Sequence, residues 1–318
     1  IRYLGRKGAL TAVLRSLKDL SPEDKKQLGA EANKLQEEIR TLLDKRTSDV
    51  QKTLRESILE KEWVDITRPG VREEKGHLHP LTKITREITD IFSSMGFEIV
   101  EGPEVETEYY NFDALNIPES HPAREMWDTF WLAKGYCMEE MHAKRGKHNR
   151  LLLRTHTSPM QIRYMETHNP PLRIIVPGRT YRYEATDASH DVQFHQVECL
   201  MVDKNVSIAN LKAIIQEFFS RLFIKRVTIR LRPSYFPFTE PSFEVDISCV
   251  YCNQKGCSIC KKTGWVELAG AGMVHPNVFK AVGYNPKDVR GFAFGMAIDR
   301  TAMMKYNIPD IRLFRSGD

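Results

Sequence analysis

Residues 1–63 place hydrophobic side chains every three or four positions among charged ones, which is the period of an α-helix. A serine–proline pair at positions 21 and 22 supplies a helix cap with proline at the first helical position, so a second helix should begin there. A stripe this narrow on so charged a surface predicts an antiparallel coiled-coil hairpin, an arm with little core of its own. The stripe consists of Leu10, Leu14, Leu17, Leu20, Leu28, Ala32, Leu35, Ile39, Leu42, Leu54 and Ile58.

The pattern changes after the arm. Residues 64–78 contain the proline and glycine of a linker and show no periodicity, and residues 79–318 alternate short helical and strand-like runs. This order lacks the regular βαβ rhythm of a doubly wound fold and predicts an α+β domain built on an antiparallel sheet. Helices are expected at 80–95 and 208–222, and strands at 97–100, 151–154, 173–178, 181–183, 194–202, 228–232 and 243–248.

Composition narrows the class of protein. A chain of 318 residues, 41% of them hydrophobic, can bury one large domain and carry an appendage. The net charge of +5 suits a partner that carries phosphates, although proteins that bind none often have a similar excess. No apolar run approaches the roughly 18 residues of a membrane span, and the start resembles no export signal, so we expect a cytosolic protein.

Two segments carry candidate binding chemistry. In the first, strand alternation would place Arg182, Glu184, Gln196 and Glu198 on one face of a hairpin. A guanidinium binds phosphate oxygens in a bidentate manner, and a carboxylate can accept a proton from an amino group such as that of adenine. The alternative is an exposed hairpin with solvated ion pairs.

The second segment, residues 291–300, is rich in small residues and continues into a helix-like run. Small residues before a helix allow the backbone to approach a ligand, and Arg300 in the first turn could meet a polyphosphate. Glycine-rich corners of this kind also occur where only packing requires them, so the segment by itself leaves both interpretations open.

Together the segments 178–184 and 291–300 resemble motifs 2 and 3 of class II aminoacyl-tRNA synthetases. Four further segments make the resemblance narrower, to the bacterial form of the phenylalanyl-tRNA synthetase α subunit. They are Asn-Ile-Pro-Glu-Ser-His-Pro-Ala-Arg at 116–124, Leu-Arg-Thr-His-Thr-Ser at 153–158, Phe-Pro-Phe-Thr-Glu-Pro-Ser at 236–242 and Gly-Met-Val-His-Pro-Asn-Val at 272–278. The resemblance covers nearly the whole chain. It implies a class II antiparallel sheet flanked by helices, and ATP-dependent attachment of phenylalanine to its tRNA.

The resemblance also implies roles for individual residues. On the nucleotide side, Arg182 would hold the α-phosphate, Glu184 would read the adenine amino group, and Glu240 would bind magnesium. Phe194 and Arg300 would sandwich the adenine ring, while His190 and Arg300 reach the distal phosphates. On the amino acid side, the matching positions are Trp127, His156, Ser158, Gln196, Glu198, Phe236, Phe238, Ala293 and Gly295.

Within that set, Phe236 and Phe238 would meet the phenyl ring edge to face, and Ala293 would close the far end of its pocket. Taken singly, the aromatic residues and His156 are more often parts of a core than ligand contacts. The sequence departs from the family at Ala297, where the family has glycine. The extra methyl group of alanine would crowd the nucleotide side of motif 3, so the affinity for ATP is the property that this departure would change.

The resemblance further implies a β subunit, with α and β forming an (αβ)₂ heterotetramer and β carrying the editing site. The basic residues of the arm would then contact tRNA phosphates, although a solvated coiled coil is an alternative. Two other functions stay open: a catalytically silent synthetase-like regulator, which the presence of Arg182 and Arg300 disfavours, and a monomeric organellar synthetase, which would carry an additional anticodon module.

Four of the six cysteines are Cys249, Cys252, Cys257 and Cys260. Two Cys-X-X-Cys pairs have the spacing of zinc knuckles, which indicates metal chemistry in a reducing compartment more than a disulfide framework. The four residues between the pairs make a short loop. A structural zinc site and a metal-free reduced hairpin therefore remain as alternatives.

Overall fold

The structure is a computed structural model that describes residues 2–19, 21–61, 64–65, 67, 70, 76–124, 129–133 and 150–316. The chain divides into two compact units, Ile1–Lys75 and Gly76–Asp318. The boundary lies within the predicted linker.

The first unit contains a short helix, α1 (Ala9–Ser16), and a long one, α2 (Pro22–Lys61). Ser21 caps α2, since its hydroxyl group accepts a hydrogen bond from the backbone N–H of Asp24. Leu10 and Ala32 are the buried hydrophobic residues of the described arm, whereas the rest of the predicted stripe along α2 is exposed except for the half-buried Ile39. Charged residues on the other faces keep this helix in water.

The second unit contains six α-helices and nine strands within its described residues. The helices are α3 (Pro80–Ser94), α4 (Glu108–Asn111), α5 (Pro159–Thr167), α6 (Ile208–Phe223), α7 (Pro276–Ala281) and α8 (Ile298–Tyr306). The strands are β1 (Glu98–Ile99), β2 (Val105–Thr107), β3 (Leu151–Leu153), β4 (Leu172–Tyr181), β5 (Gln193–Asp203), β6 (Ile229–Phe236), β7 (Thr239–Ser248), β8 (Trp265–Val274) and β9 (Arg290–Ala297). None of the helices that the structure describes combines the length and apolar content needed to cross a membrane.

Seven strands form one sheet in the order β1-β4-β5-β9-β8-β7-β6, and β2 pairs with β3 separately. Every neighbouring pair in the large sheet is antiparallel except β1 with β4. The prediction of an α+β domain on an antiparallel sheet flanked by helices is therefore confirmed.

Hydrophobic side chains cover both faces of the large sheet. Along β4, Ile175 belongs to a core that includes α3 and α6, while Ile174 and Val176 belong to a second core on the opposite face. Because both faces are buried at this point, residues 174–176 of β4 form a continuous apolar run instead of an alternating one.

Two details differ from the sequence prediction. The separate strand expected at 181–183 does not form, because β4 continues without a break to Tyr181 and pairs with β5 along its whole length. Strands β2, β8 and β9 were not predicted, and neither were helices α4, α5 and α7. Strand β8 contains four alanine or glycine residues in succession, and small residues have low strand propensity.

Candidate active site

A cavity of about 540 Å³ opens on one face of the large sheet, where strands β5, β9, β8 and β7 lie side by side. A volume of this size lies in the range of small-molecule sites. Its lining combines aromatic and aliphatic side chains with charged ones, which suits a ligand that is apolar at one end and polar at the other.

Small residues on neighbouring strands form the floor of the cavity. Glu198 of β5 pairs with Gly295 of β9, which in turn pairs with Gly270 of β8. A Cβ atom on Gly295 would lie 2.7 Å from Gln196 Nε2 and 2.8 Å from Glu198 Oε2. Glycine is therefore required at 295, because any side chain would displace the two polar groups beside it. Ala293 lies two residues along the same strand and is nearly buried.

Phe236 and Phe238 form an aromatic wall of the cavity. Their ring centroids are 5.8 Å apart and their planes differ by 10°. Phe236 lies directly over Gly270, since a Cβ atom there would be 2.9 Å from its ring. The His156 ring continues the wall at 6.4 Å from Phe238. The absence of a side chain at 270 thus lets the far end of the Phe236 ring approach the sheet closely.

Arg182 enters the cavity just beyond the end of β4. Its backbone N–H donates to Val192 O, which continues the hairpin with β5, and its Nε donates to Thr155 O at 3.1 Å. The guanidinium carbon lies 5.1 Å from the centre of the Phe194 ring. These contacts fix the direction of a cation that also lines the cavity.

Glu198 is a buried carboxylate in the cavity wall. Gln161 Nε2 donates to its Oε1 at 2.9 Å and Gln196 Nε2 donates to its Oε2 at 3.2 Å. Burial raises the pKa of Glu198 to about 7, although hydrogen bonds from Ser158 and Gln161 and the charge of Arg182 oppose the shift. A carboxylate that is desolvated to this extent would be stabilised by a bound cation.

His156 stays neutral at physiological pH. Burial, and then the charge of Arg182, lowers the pKa of its imidazole to about 3. Neither ring nitrogen makes a hydrogen bond of good geometry among the described residues, although the Asn111 backbone is near enough to oppose part of the lowering of this pKa; Gln196 Oε1 likewise has no partner among them. Buried polar atoms normally have partners, so these three atoms mark where a polar ligand group would bind.

The four polar residues of the predicted hairpin, Arg182, Glu184, Gln196 and Glu198, all line this cavity. The other predicted residues that line it are His156, Ser158, Phe236, Phe238, Ala293 and Gly295. Trp127 lies outside the described residues.

Four predicted nucleotide or metal ligands do not line the cavity. The Phe194 ring contacts the guanidinium group of Arg182, which lines the cavity. His190 is exposed, and its Nδ1 lies 3.1 Å from the Asp187 carboxylate. Arg300 is exposed in the first turn of α8, and Glu240 is exposed at the start of β7. Ala297 has a φ of −77°, which alanine adopts freely, so the departure from the family adds no backbone strain.

Several lining residues received no role from the sequence, although His121 and Thr155 fall within the motif segments quoted above. Asn111 of α4 supports the site from behind, since its side chain donates to Thr155 Oγ1 at 2.9 Å and accepts from the Thr155 backbone N–H. Asn111 and Thr155 are 44 residues apart in the sequence, so no local sequence pattern predicts their contact. The additional lining residues include Phe112, Ile117, His121, Thr155 and Glu244.

The four clustered cysteines lie together in the connection between β7 and β8. Their sulfur atoms all fall within 4.8 Å of one another. The Cys249–Cys257, Cys252–Cys260 and Cys257–Cys260 Sγ separations are 3.7, 3.8 and 3.7 Å. Four sulfurs at about 2.3 Å around a tetrahedral zinc ion would be about 3.8 Å apart, so the cluster has the dimensions of such a site.

The segment that carries these cysteines is an eight-residue tandem repeat, Cys-Val-Tyr-Cys-Asn-Gln-Lys-Gly followed by Cys-Ser-Ile-Cys-Lys-Lys-Thr-Gly. The second cysteine of each half accepts a hydrogen bond from the backbone N–H of the closing glycine, Gly256 or Gly264. Both glycines have positive φ, and so do the two residues after each second cysteine, at 253–254 and 261–262. The structure repeats together with the sequence.

Comparison with known proteins agrees with this architecture. A model of the class II core domain of tRNA synthetases, type F, matches residues 63–318, and a model of the class II aminoacyl-tRNA synthetase N-terminal domain matches residues 1–59. The phenylalanine–tRNA ligase alpha subunit of Petrotoga mobilis is 52% identical over 318 residues, which are 100% of this chain and 89% of that protein. The proteins of the same name from Desulfosudis oleivorans and Bacillus cytotoxicus are 49% and 48% identical, again over 100% of this chain and 89% of each relative. The chain therefore belongs to the phenylalanine–tRNA ligase alpha subunits and has a class II synthetase core.

Proposed function

We propose that this chain activates phenylalanine with ATP in the cavity described above and transfers it to the terminal ribose of its tRNA. The phenylalanine carboxylate attacks the α-phosphorus of ATP, and pyrophosphate leaves. A ribose hydroxyl of the tRNA then attacks the carbonyl carbon of phenylalanyl-adenylate, and AMP leaves. No side-chain nucleophile takes part, because positioning and charge stabilisation suffice for both steps.

The observation that carries the proposal is that one cavity is lined by two chemically different sets of side chains. Phe236, Phe238 and Ala293 supply an apolar set beside the glycines of the sheet, and Glu198 with Arg182 supplies an anionic and a cationic group. A benzyl side chain fits the first set, and an ammonium beside a reacting carboxylate and phosphate fits the second. Phenylalanine and ATP present these groups together.

At the amino acid end, Glu198 would pair with the substrate ammonium while Gln196 offers its free Oε1 to the same group. Ser158 hydrogen-bonds to Glu198 and holds the carboxylate in place. The neutral His156 can donate one hydrogen bond and accept another, so it suits the remaining polar atoms of the substrate.

At the nucleotide end, Arg182 would stabilise the charge that develops on the α-phosphate, because Thr155 already holds its guanidinium in position. Glu184 would bind the adenine amino group. His190, Phe194 and Arg300 lie outside the cavity lining. We propose for them the nucleotide-binding roles that the resemblance implies.

Magnesium would be held by Glu240 together with ATP. The residue fits a magnesium ligand because its carboxylate is exposed, next to the cavity-lining Thr239. Magnesium usually takes one or two protein carboxylates and completes its shell with water and phosphate oxygens. When bound, it would neutralise charge on the phosphates.

Phenylalanine-dependent ATP–pyrophosphate exchange tests this function. Replacing Arg182 by Gln should lower kcat by about 100- to 1000-fold, the loss typical of a donor to a developing charge. Replacing the exposed Arg173, which lies on the preceding strand β4, by Gln should leave the exchange rate unchanged. Equal rates for the Arg182 variant and the unsubstituted protein would refute the proposed role of the cavity.

The alpha-subunit relatives also suggest the assembly. We propose that this chain pairs with a β subunit in an (αβ)₂ heterotetramer, that β edits mischarged tRNA, and that the basic arm contacts tRNA phosphates. We propose that aminoacylation by this chain takes place in the cytoplasm, where thiols stay reduced. Exchange measured with and without β would show whether the α chain works alone.

The cysteine cluster would hold a structural zinc ion outside the reaction. Its sulfur separations match a tetrahedral tetrathiolate, and backbone N–H groups donate to Sγ atoms of Cys252 and Cys260. Four residues other than glycine adopt positive φ within this segment, a conformation that costs roughly 1 kcal/mol or more for each. A bound ion would offset that cost, whereas a metal-free hairpin has no evident reason to adopt it.

Metal analysis of protein purified without chelator should find one equivalent of zinc. Cys252→Ser should reduce it sharply, while Cys199→Ala, which changes a thiol buried elsewhere in the core, should retain it. Less than a tenth of an equivalent in the unsubstituted protein would end the zinc proposal.

A further inference from the structure

Five basic side chains surround the cysteine repeat. Lys255, Lys261 and Lys262 belong to the repeat itself, and Lys225 and Arg226 follow α6. A polar depression of about 430 Å³ brings Lys225 and Arg226 against the repeat, where it is also lined by Cys249, Val250, Asn253 and Gln254. All five side chains are exposed, and no ion pair involving them is found among the described residues.

The repeat itself contains no acidic residue to neutralise these cations. The sequence has none at 247–266, and the acidic residues that flank this range, Asp246 and Glu267, already pair with Arg230 and Arg232. A zinc ion in four thiolates leaves two negative charges, fewer than the five cations can balance. The basic surface therefore keeps a net positive charge whether or not zinc is bound.

This surface is separate from the cavity. Strand β7 runs from Thr239, which lines the cavity, to Ser248, which precedes the first cysteine. At about 3.3 Å per residue, the two ends are about 30 Å apart. A group bound at the repeat cannot reach the reacting atoms, so the cations do not serve the phosphates of ATP.

We infer that the five cations form a contact for the phosphate backbone of tRNA, here termed the knuckle surface (Lys225, Arg226, Lys255, Lys261 and Lys262). The inference rests on the proposed tRNA-charging function, since tRNA is the polyanion that such an enzyme must bind. Lysine and arginine contacts to phosphates give affinity and orientation without reading sequence. The compact repeat, whose backbone N–H groups bond to two of its sulfur atoms, would hold the backbone that carries these cations in a fixed conformation, which reduces the entropy lost on binding.

The test compares tRNA binding by the α–β complex with and without these charges. In the triple variant Lys255→Gln, Lys261→Gln and Lys262→Gln, the Kd for tRNA at low salt should rise about tenfold or more. The slope of log K against log salt should fall by about 0.7–0.9 for each phosphate that the variant no longer neutralises, or about 2–3 in total. The double variant Lys225→Gln and Arg226→Gln should show a smaller change of the same sign.

A matched control removes three other exposed lysines that have no ion pair among the described residues: Lys204→Gln, Lys212→Gln and Lys287→Gln. This control should bind tRNA as the unsubstituted complex does. Zinc content and phenylalanine-dependent pyrophosphate exchange should be unchanged in all variants, because neither depends on the knuckle surface. Exchange by the unsubstituted complex tests the proposed function separately.

Three results would overturn the inference. Unchanged tRNA affinity and salt slope in the triple variant would show that the charges do not touch the tRNA. An equal loss of affinity in the control would show that only total charge matters. Loss of zinc or of the β subunit in the triple variant, with tRNA affinity per assembled complex retained, would assign the cations to metal retention or assembly instead.

Discussion

The raised pKa of Glu198 makes phenylalanine binding depend on pH in a range where free carboxylates do not titrate. Burial moves this pKa from 4.5 to about 7. If the ionised carboxylate pairs with the substrate ammonium, binding requires the deprotonated form. Affinity should therefore be highest above pH 7 and should fall as the pH drops through 7.

The magnitude follows from the ionised fraction. With a pKa of about 7, Glu198 is about nine-tenths ionised at pH 8 and about one-tenth ionised at pH 6. The Kd for phenylalanine should accordingly rise about tenfold between these values, a change of about 1.4 kcal/mol in binding free energy. Binding at pH 6 should release about 0.9 proton, because the ammonium displaces the proton that Glu198 held.

Isothermal titration of phenylalanine into the α–β complex measures both quantities, since the binding enthalpy in buffers of different ionisation enthalpy reports proton release. Glu198→Gln should bind phenylalanine weakly and with no such pH dependence. Glu184→Gln changes an exposed carboxylate of the same cavity and should keep the pH dependence. A constant Kd from pH 6 to 8 with no proton release would refute the pairing.

Other consequences concern the same pocket. Ala293→Gly should deepen it and raise pyrophosphate exchange with p-chlorophenylalanine, and an unchanged rate would contradict its place at the end of the ring. Gly295→Ala should raise the KM for phenylalanine at least about tenfold, because the added Cβ lies 2.7 Å from Gln196 Nε2; a normal KM would argue against the tight floor. The unsubstituted protein should lose stability as the pH rises from 4.5 to 7, because the folded state keeps Glu198 protonated while the unfolded state releases the proton. Glu198→Gln removes this loss, so its free energy of unfolding relative to the unsubstituted protein should be about 2–3 kcal/mol higher at pH 8 than at pH 5. Denaturant titrations that give equal gains at both pH values would contradict this.

Alternation along strands was enough to predict one wall of the site. Gln196 and Glu198 lie on β5, and Arg182 and Glu184 follow the end of β4. The register of the two strands pairs even-numbered residues with even-numbered ones, which places all four residues on one face if the alternation continues past Tyr181. The structure adds that this face meets β9, whose Gly295 lies beside Glu198.

The floor of the cavity could not be predicted in the same way. It depends on the pairing of β5 with β9, a strand distant from it in the sequence, and the run of alanine and glycine in β8 gives a weak strand signal. Support from Asn111 likewise depends on a long-range contact.

The eight-residue repeat of the cysteine segment can be seen in the sequence but was not predicted. The Cys-X-X-Cys spacing that indicates a metal site includes the cysteines and leaves out the glycines that complete each repeat. Its second element is the glycine four residues after the last cysteine of each half, at 256 and 264. The positive φ of both glycines and their N–H···S bonds show why the repeat unit has eight residues.

The central claim is that a single cavity accommodates the benzyl ring and the reacting phosphate. A crystal structure of the α–β complex with a non-hydrolysable phenylalanyl-adenylate analogue tests it most directly. We expect the ring between Phe236, Phe238 and Ala293, the ammonium at Glu198 and the phosphate analogue at Arg182. An analogue bound elsewhere, or one whose ring lies away from the two phenylalanines, would contradict the account.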